Sequence, residues 1–377
     1  MSLKHRFTAL SSAAALLAVV GLAATAFAQE QQTPHPMFGH PRPVYDQSAA
    51  PTTALTTWNG SYTYSGTTTK FVMVGTDPSS SNVATTVPVY IIPMKLTFTQ
   101  GTQTKVFDPA HKLPSGNSVT QQTVLSPIFQ SSVDYVQGGT DLGKTQYEDA
   151  FERGNFWTDV MTNTDYHVLL GKPTVLPELA VSVPTNEGAI GKSSYGPPET
   201  LGIVSFNWFT EQAPTWIGKY KQITPSALAI FITYNVYLSE TTNFGGCCIG
   251  GFHDAYGSAL SPQSYAQFSF MDQSSTVTVF SSDVSALSHE LGEWMDDPYV
   301  DNVLTVPPLC RGGILEVGDP LEGTTDYGDY VYTVNNYGYH IQDLVFLKYF
   351  GQTPATSVND WWSLQGYPFT QVCQNGQ

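Results

Sequence analysis

The strongest periodicity in the chain lies between Val284 and Pro298. Val284, Leu287, Leu291 and Trp294 recur at spacings of three, four and three, the apolar stripe of a helix lying on a core. Ser282 or Asp283 is placed to cap its start, and Pro298 to stop it. Residues 58–107 alternate and favour β-branched side chains, with 87–98 the clearest strand. Pro88 and Pro93 assign parts of that strand to an edge or a bulge, because proline cannot donate to a ladder. A helical patch follows at 146–153, then strands at 166–170 and 179–183. The uninterrupted apolar run 227–237 reads as a buried strand. A glycine-rich, cysteine-containing loop, 245–251, leads into Phe252 and His253, and 265–270 is a further strand. No internal repeat is present. The pattern predicts an α+β protein, the 284–298 helix packed on a mixed sheet after a β-rich N-terminal half. Pro197-Pro198 marks the boundary between 54–198 and 199–377, either two halves or one continuous domain.

The N-terminus changes the picture of where this chain works. Lys4 and Arg6, an apolar stretch from 13 to 22, and Ala26-Phe27-Ala28 form a secretory signal, with cleavage expected after Ala28. Residues 29–53, rich in Gln, Pro, Thr and Ser, form a disordered leader. No later segment offers the 18 or so apolar residues of a membrane span. Net charge is −16, and loss of Lys4 and Arg6 takes it to −18, which argues against nucleic acid as a partner. Peptides or neutral polymers fit better, and the oligomeric state is not fixed by sequence. The four cysteines, Cys247, Cys248, Cys310 and Cys373, suggest two disulfides in an exported protein. Adjacent cysteines bridge awkwardly, so Cys247 and Cys248 are each expected to pair with Cys310 or Cys373.

The polar side of the 284–298 helix carries the chemistry. His289 and Glu293 are one turn apart, about 40° around the axis, so both can reach one cation. Glu290 stands beside them, where a general base for a metal-activated water belongs. A catalytic zinc ordinarily has three protein ligands, and Glu316 is the expected third, with Asp319 orienting the His289 imidazole from behind. The bland alternative is a half-exposed helix whose polar residues simply face water. Thermolysin-like enzymes carry a second histidine where this chain has Glu293. The extra negative charge weakens zinc selectivity and leaves Ca²⁺ as an alternative ion.

Other residues carry two readings each. His253 either supports the site or is a structural histidine. His340 is expected to polarise a substrate carbonyl, as a downstream histidine does in thermolysin-like enzymes. Asp297, just before Pro298, is expected to end the helix rather than bind metal. The many Tyr and Trp residues serve either an aromatic core or a carbohydrate platform.

His289-Glu290-Leu291-Gly292-Glu293, then Asp297-Pro298, Asn302 and Glu316-Val317-Gly318-Asp319, resembles the motif series of the plant EXORDIUM, or phosphate-induced, family. The segment from Cys248 to His253 is similar to that family's Cys-Gly-x-His stretch. The resemblance spans roughly residues 225–340 and implies an extracellular, zincin-like protein. The adjacency of Cys247 and Cys248 departs from the family, so its disulfides are not carried over. The resulting expectation is a secreted zinc metallopeptidase in which His289, Glu293 and Glu316 hold the metal and Glu290 takes the proton. Its rival is a non-catalytic extracellular or cell-envelope protein that binds glycan or a protein partner.

Overall fold

The computed structural model describes residues 54–64, 67–137, 140–192, 200–241, 247–272, 282–303, 314–319, 328–347 and 361–364. The expected signal (1–28), the 29–53 leader, Pro197-Pro198, Cys310 and Cys373 lie outside the described residues. Among those described, strands predominate and helices are few, an α+β arrangement. Five helices are present there: α1 (Val119–Val124), α2 (Tyr147–Asn155), α3 (Trp157–Val160), α4 (Phe206–Ile217) and α5 (Ser285–Asp296).

The central sheet has seven strands. In chain order they are β1 (Val89–Gln100), β2 (Gln103–Phe107), β3 (Thr174–Val175), β4 (Leu179–Ser182), β5 (Leu228–Tyr234), β6 (Gly251–Ser258) and β7 (Ser261–Phe270). Spatially the sheet runs β4-β1-β5-β7-β6, with β2 and β3 also pairing with β1. β5 is parallel to both β1 and β7, whereas β6 and β7 form an antiparallel hairpin. β1, from before the expected boundary, therefore pairs directly with β5, from after it.

The apolar run of β5 is uniform because both of its faces are covered. Leu228, Ile230 and Ile232 join one core with Leu287, Leu291 and Trp294 of α5. Ala229 and Phe231 join a second core with Phe209 and Trp216 of α4. Each large apolar side chain buried in this way contributes ~1.5–3 kcal/mol of transfer free energy. The second core is an aromatic cluster in which Phe209, Trp216, Phe231, Phe252 and Tyr265 meet edge to face.

Three local expectations are corrected. Pro93 lies inside an internal strand: it faces Ile232 at the end of the β1–β5 pairing, and β1 then turns to β2. On the other side of β1, the β3 pairing ends at Ile91 and the β4 pairing begins at Met94, so no ladder needs the missing N–H. Neither Ser282 nor Asp283 caps α5, since its N-cap is Val284 and makes no side-chain bond. The 227–237 run breaks at Asn235, whose φ of 54° turns the chain from β5 into a second strand, Val236–Ser239.

α4 was not anticipated. Ser205 caps it by accepting the Trp208 N–H at 3.3 Å, and its buried face is Phe206, Phe209, Ala213, Trp216 and Ile217. Pro214 within it obscured that periodicity. α5 lies on the β6–β7 side of the sheet. It is flanked by α2 and by the hairpin of β8 (Asp329–Val334) and β9 (Tyr337–Gln342). No helix among the described residues is long and apolar enough to cross a membrane.

Candidate metal centre

The polar face of α5 does not meet solvent. His289, Glu290 and Glu293 are each at most 1% exposed, which removes the reading of a half-exposed helix. The helix is sandwiched between the sheet and the β8–β9 hairpin, so its chemistry-bearing face is interior. Burying two carboxyls beside two imidazoles is costly unless each is paired, protonated or bound to a cation.

His289 Nε2 lies 2.9 Å from Glu293 Oε1 and 3.8 Å from Asp319 Oδ1. Neither ring nitrogen of His289 has a hydrogen-bond partner of acceptable geometry among the described residues. The 2.9 Å approach is therefore a close contact of two metal-ligating atom types without an N–H aimed at oxygen. Ligands of a tetrahedral zinc, at ~2.1 Å from the ion, sit ~3.4 Å apart, and the two separations bracket that value. His289, Glu293 and Asp319 each place one donor atom within 4.8 Å of the other two.

Backbone approach makes this packing feasible. A Cβ on Gly318 would fall 2.2 Å from His289 Nδ1, so glycine lets the 314–319 segment lie flat on the imidazole. Gly318 N–H donates to Glu293 Oε1 at 3.0 Å, and its carbonyl accepts from Gln342 Nε2 at 3.0 Å. Ser288 Oγ accepts the Gln342 N–H at 2.9 Å, fixing β9 to the same turn of α5. Gly251 plays the corresponding part on β6, where a Cβ would come within 2.9 Å of Glu290 Cγ.

His253 belongs to the site. Its Nε2 is 3.1 Å from the carbonyl oxygen of Asp297, and its Nδ1 is 3.1 Å from Glu290 Oε2. A carbonyl cannot donate, so Nε2 carries the proton and Nδ1 presents a lone pair. Glu293 Oε2 is 3.9 Å from the same Nδ1. His253, Glu290 and Glu293 form a second group whose donor atoms lie within 4.8 Å of one another.

Electrostatics follow from burial. Burial lowers the pKa of His289, and takes that of His253 down to about 4, keeping both imidazoles neutral as metal ligation requires. Burial pushes Glu290 up to about 8 and Glu293 well above the ordinary carboxyl range, with neighbouring carboxylates adding to the rise in Glu293. Among the described residues the ion pairs of Glu290 and Glu293 are with histidines alone.

The remaining predicted residues are placed as follows. Glu316 lies against the carboxyl of Glu293 and takes no donor among the described residues, but it is in neither donor group. Asp319, expected behind His289, stands instead among the converging donors. His340 is in neither group. Its Nδ1 is 2.7 Å from Asp283 Oδ2, at the N-terminal end of α5 and roughly 9 Å of helix rise before His289. That bond also explains the missing cap, since the Asp283 carboxylate accepts from the His340 backbone N–H as well. Asp297 ends α5 as expected, its carboxylate accepting from Asp301 N and Asn302 N at 2.9 and 3.0 Å. Cys248 is disulfide-bonded and packs beside Leu201, Tyr237 and Met271.

Sequence reasoning missed Gly318, Gly251, Gln342 and the Asp297 carbonyl. The glycines were visible inside motifs already singled out, yet spacing does not show which side chain a glycine admits. No family model, curated protein or solved structure matches this chain.

Proposed function

We propose that the chain is an exported, zinc-dependent hydrolase of the zincin-like metallopeptidase type, related to EXORDIUM-like proteins and acting on peptide bonds. The observation that carries the reading is the buried convergence of His289 Nε2 and Glu293 Oε1, 2.9 Å apart with no hydrogen bond between them. His289, Glu293 and Asp319 would hold the ion, with Glu316 close enough to Glu293 to exchange with Asp319. A bound Zn²⁺ supplies Lewis-acid polarisation and brings the pKa of a coordinated water toward neutrality.

The chain's own residues do the rest. Glu290 Oε1 is buried and has no partner among the described residues, so it is the oxygen available to take a proton. Its Oε2 stays beside His253 Nδ1, which fixes the carboxyl plane. Gly318 and Gln342 hold the ring of His289 and the carboxyl of Glu293 in place before substrate arrives. His340 is assigned to the substrate carbonyl. Burial opposes its charge, but the bond and charge of Asp283 outweigh that and raise its pKa, and Nε2 is the nitrogen left for a ligand.

The test is metal content together with hydrolysis. Purified protein is expected to carry zinc and to cleave casein. Glu290→Gln should retain zinc on His289 and lose about 10²- to 10⁴-fold in rate, the usual loss for a positioned general base. Zinc-loaded protein that cleaves nothing across a broad peptide library would overturn the catalytic reading in favour of a glycan- or partner-binding protein.

A further inference from the structure

The geometry points to a second cation site, formed by His253, Glu290 and Glu293, that shares Glu293 with the His289 site as a bridging carboxylate. The inference rests on the reading of His289, Glu293 and Asp319 as a metal set. It goes beyond that reading by making the centre binuclear.

Glu293 presents its two oxygens to two different histidines. Oε1 lies 2.9 Å from His289 Nε2, and Oε2 lies 3.9 Å from His253 Nδ1. Each histidine has a further carboxylate of its own, Asp319 Oδ1 at 3.8 Å from His289 and Glu290 Oε2 at 3.1 Å from His253. Both sets contain one imidazole nitrogen and two carboxylate oxygens, and in each the three donor atoms lie within 4.8 Å of one another. A shared carboxylate between two such sets matches two-metal hydrolase centres, whose ions are ~3.5–4 Å apart.

The orientation of His253 is an independent observation. A metal-binding histidine ordinarily donates its other ring N–H to a carbonyl or carboxylate, which fixes the tautomer and the ring plane. His253 does this through Nε2 to the Asp297 carbonyl at 3.1 Å, so its Nδ1 lone pair faces Glu290 Oε2 at 3.1 Å and Glu293 Oε2 at 3.9 Å, a place that either a cation or the proton of Glu290 can fill. The imidazole is 1% exposed, and the other oxygen of the equally buried Glu290, Oε1, has no partner among the described residues. Gly251 makes room for Glu290, since a Cβ there would meet its Cγ at 2.9 Å. The mixed nitrogen and carboxylate donors suit Zn²⁺ or Mn²⁺ better than Ca²⁺, which takes six to eight oxygens. In the doubly loaded protein Glu290 Oε2 is a ligand, and Oε1 keeps its place as proton acceptor.

The experiment strips the full chain with chelator and reloads it with Mn²⁺ alone, reading bound equivalents and the electron paramagnetic resonance spectrum. Two equivalents per chain with a spin-coupled spectrum are expected. His253→Gln should bind one equivalent with the spectrum of isolated ions. One equivalent in the wild type overturns the second site, with a proton on Glu290 taking the cation's place, and leaves the single-metal reading standing. Retention of two coupled ions by His253→Gln also overturns it. Failure to bind Mn²⁺, together with no uptake of Zn²⁺ in a parallel reload, overturns both readings. The wild-type spectrum decides the matter by itself if the variant does not fold.

Discussion

Gly318 is where a single atom separates packing from clash. Alanine there adds a carbon 2.2 Å from His289 Nδ1, with further ring atoms at 2.3 and 2.5 Å. The imidazole cannot yield freely, because α5 is buried along its whole length and the 314–319 segment is tied to Glu293 and Gln342. Gly318→Ala is therefore expected to destabilise the protein by ~1–3 kcal/mol, as overpacking does, and to weaken zinc binding. Thermal denaturation and zinc titration read the two effects. A variant that melts and binds like wild type would show that the segment does not press on His289. By contrast, the exposed Gly101, with a φ of 61°, has no atom near its missing Cβ, and a substitution there meets backbone strain alone.

At the level of elements, α2 and α5 meet through acidic residues that sequence periodicity treats as solvent-facing. Glu152 is 1% exposed and Asp296 is fully buried, and neither carboxyl finds a hydrogen-bond partner among the described residues. Burial pushes Glu152 up to about 7 and Asp296 well above its ordinary value, where the charge of Glu152 adds to the rise. The folded state thus holds a proton that the unfolded chain releases above about 4.5. Stability from this pair is fully present below that pH and is lost as pH rises through about 7. Glu152→Gln stays neutral at any pH, so its melting temperature should fall less between pH 5 and pH 8 than that of wild type. Equal slopes in the two proteins would show that the pair does not titrate in this range.

Across the whole molecule, the proposed metal would be a component of stability. Glu290, Glu293, Glu316 and Asp319 converge in a chain with a net charge of −16, and a cation bound only by the folded state stabilises it by mass action. At a free concentration about 1,000 times Kd that contribution is ~4 kcal/mol. Chelation at pH 7 is expected to lower the melting temperature by several degrees, and Zn²⁺ to restore it where Mg²⁺ does not. An unchanged melting curve after verified zinc removal would mean that protons alone neutralise the cluster. The end of α5 is also linked to the N-terminal strands, since Asn302 bonds the backbone of both Asp296 and Val72. Loosening the centre should therefore be transmitted to the N-terminal hairpin Thr57–Tyr64 and Thr67–Val74.

The sequence by itself determined the local facts that depend on neighbours in the chain. The three-four spacing of Leu287, Leu291 and Trp294 fixed α5, and the same helix geometry placed His289 and Glu293 on one face. The apolar run through Ile230 and Ile232 marked a strand covered on both sides, as β5 is. Tertiary structure decided what depends on residues far apart. Whether the polar face of α5 met water or a buried centre turned on the β8–β9 hairpin and on β6, which no periodicity in 284–298 could reveal. His253 entered the centre because β6 pairs with β7 in a register that sets it opposite Ala266 on the α5 face of the sheet. Asp283 left its expected capping role because His340, 57 residues later, supplies two donors to its carboxylate. Asp319 stands 3.8 Å from His289 Nε2, on the side of the ring that Glu293 also faces, where Gly318 lets the backbone lie on the imidazole. Side-chain type and short-range period are written along the chain, whereas convergence of donor atoms is a property of packing, set by the burial of two cores on one sheet.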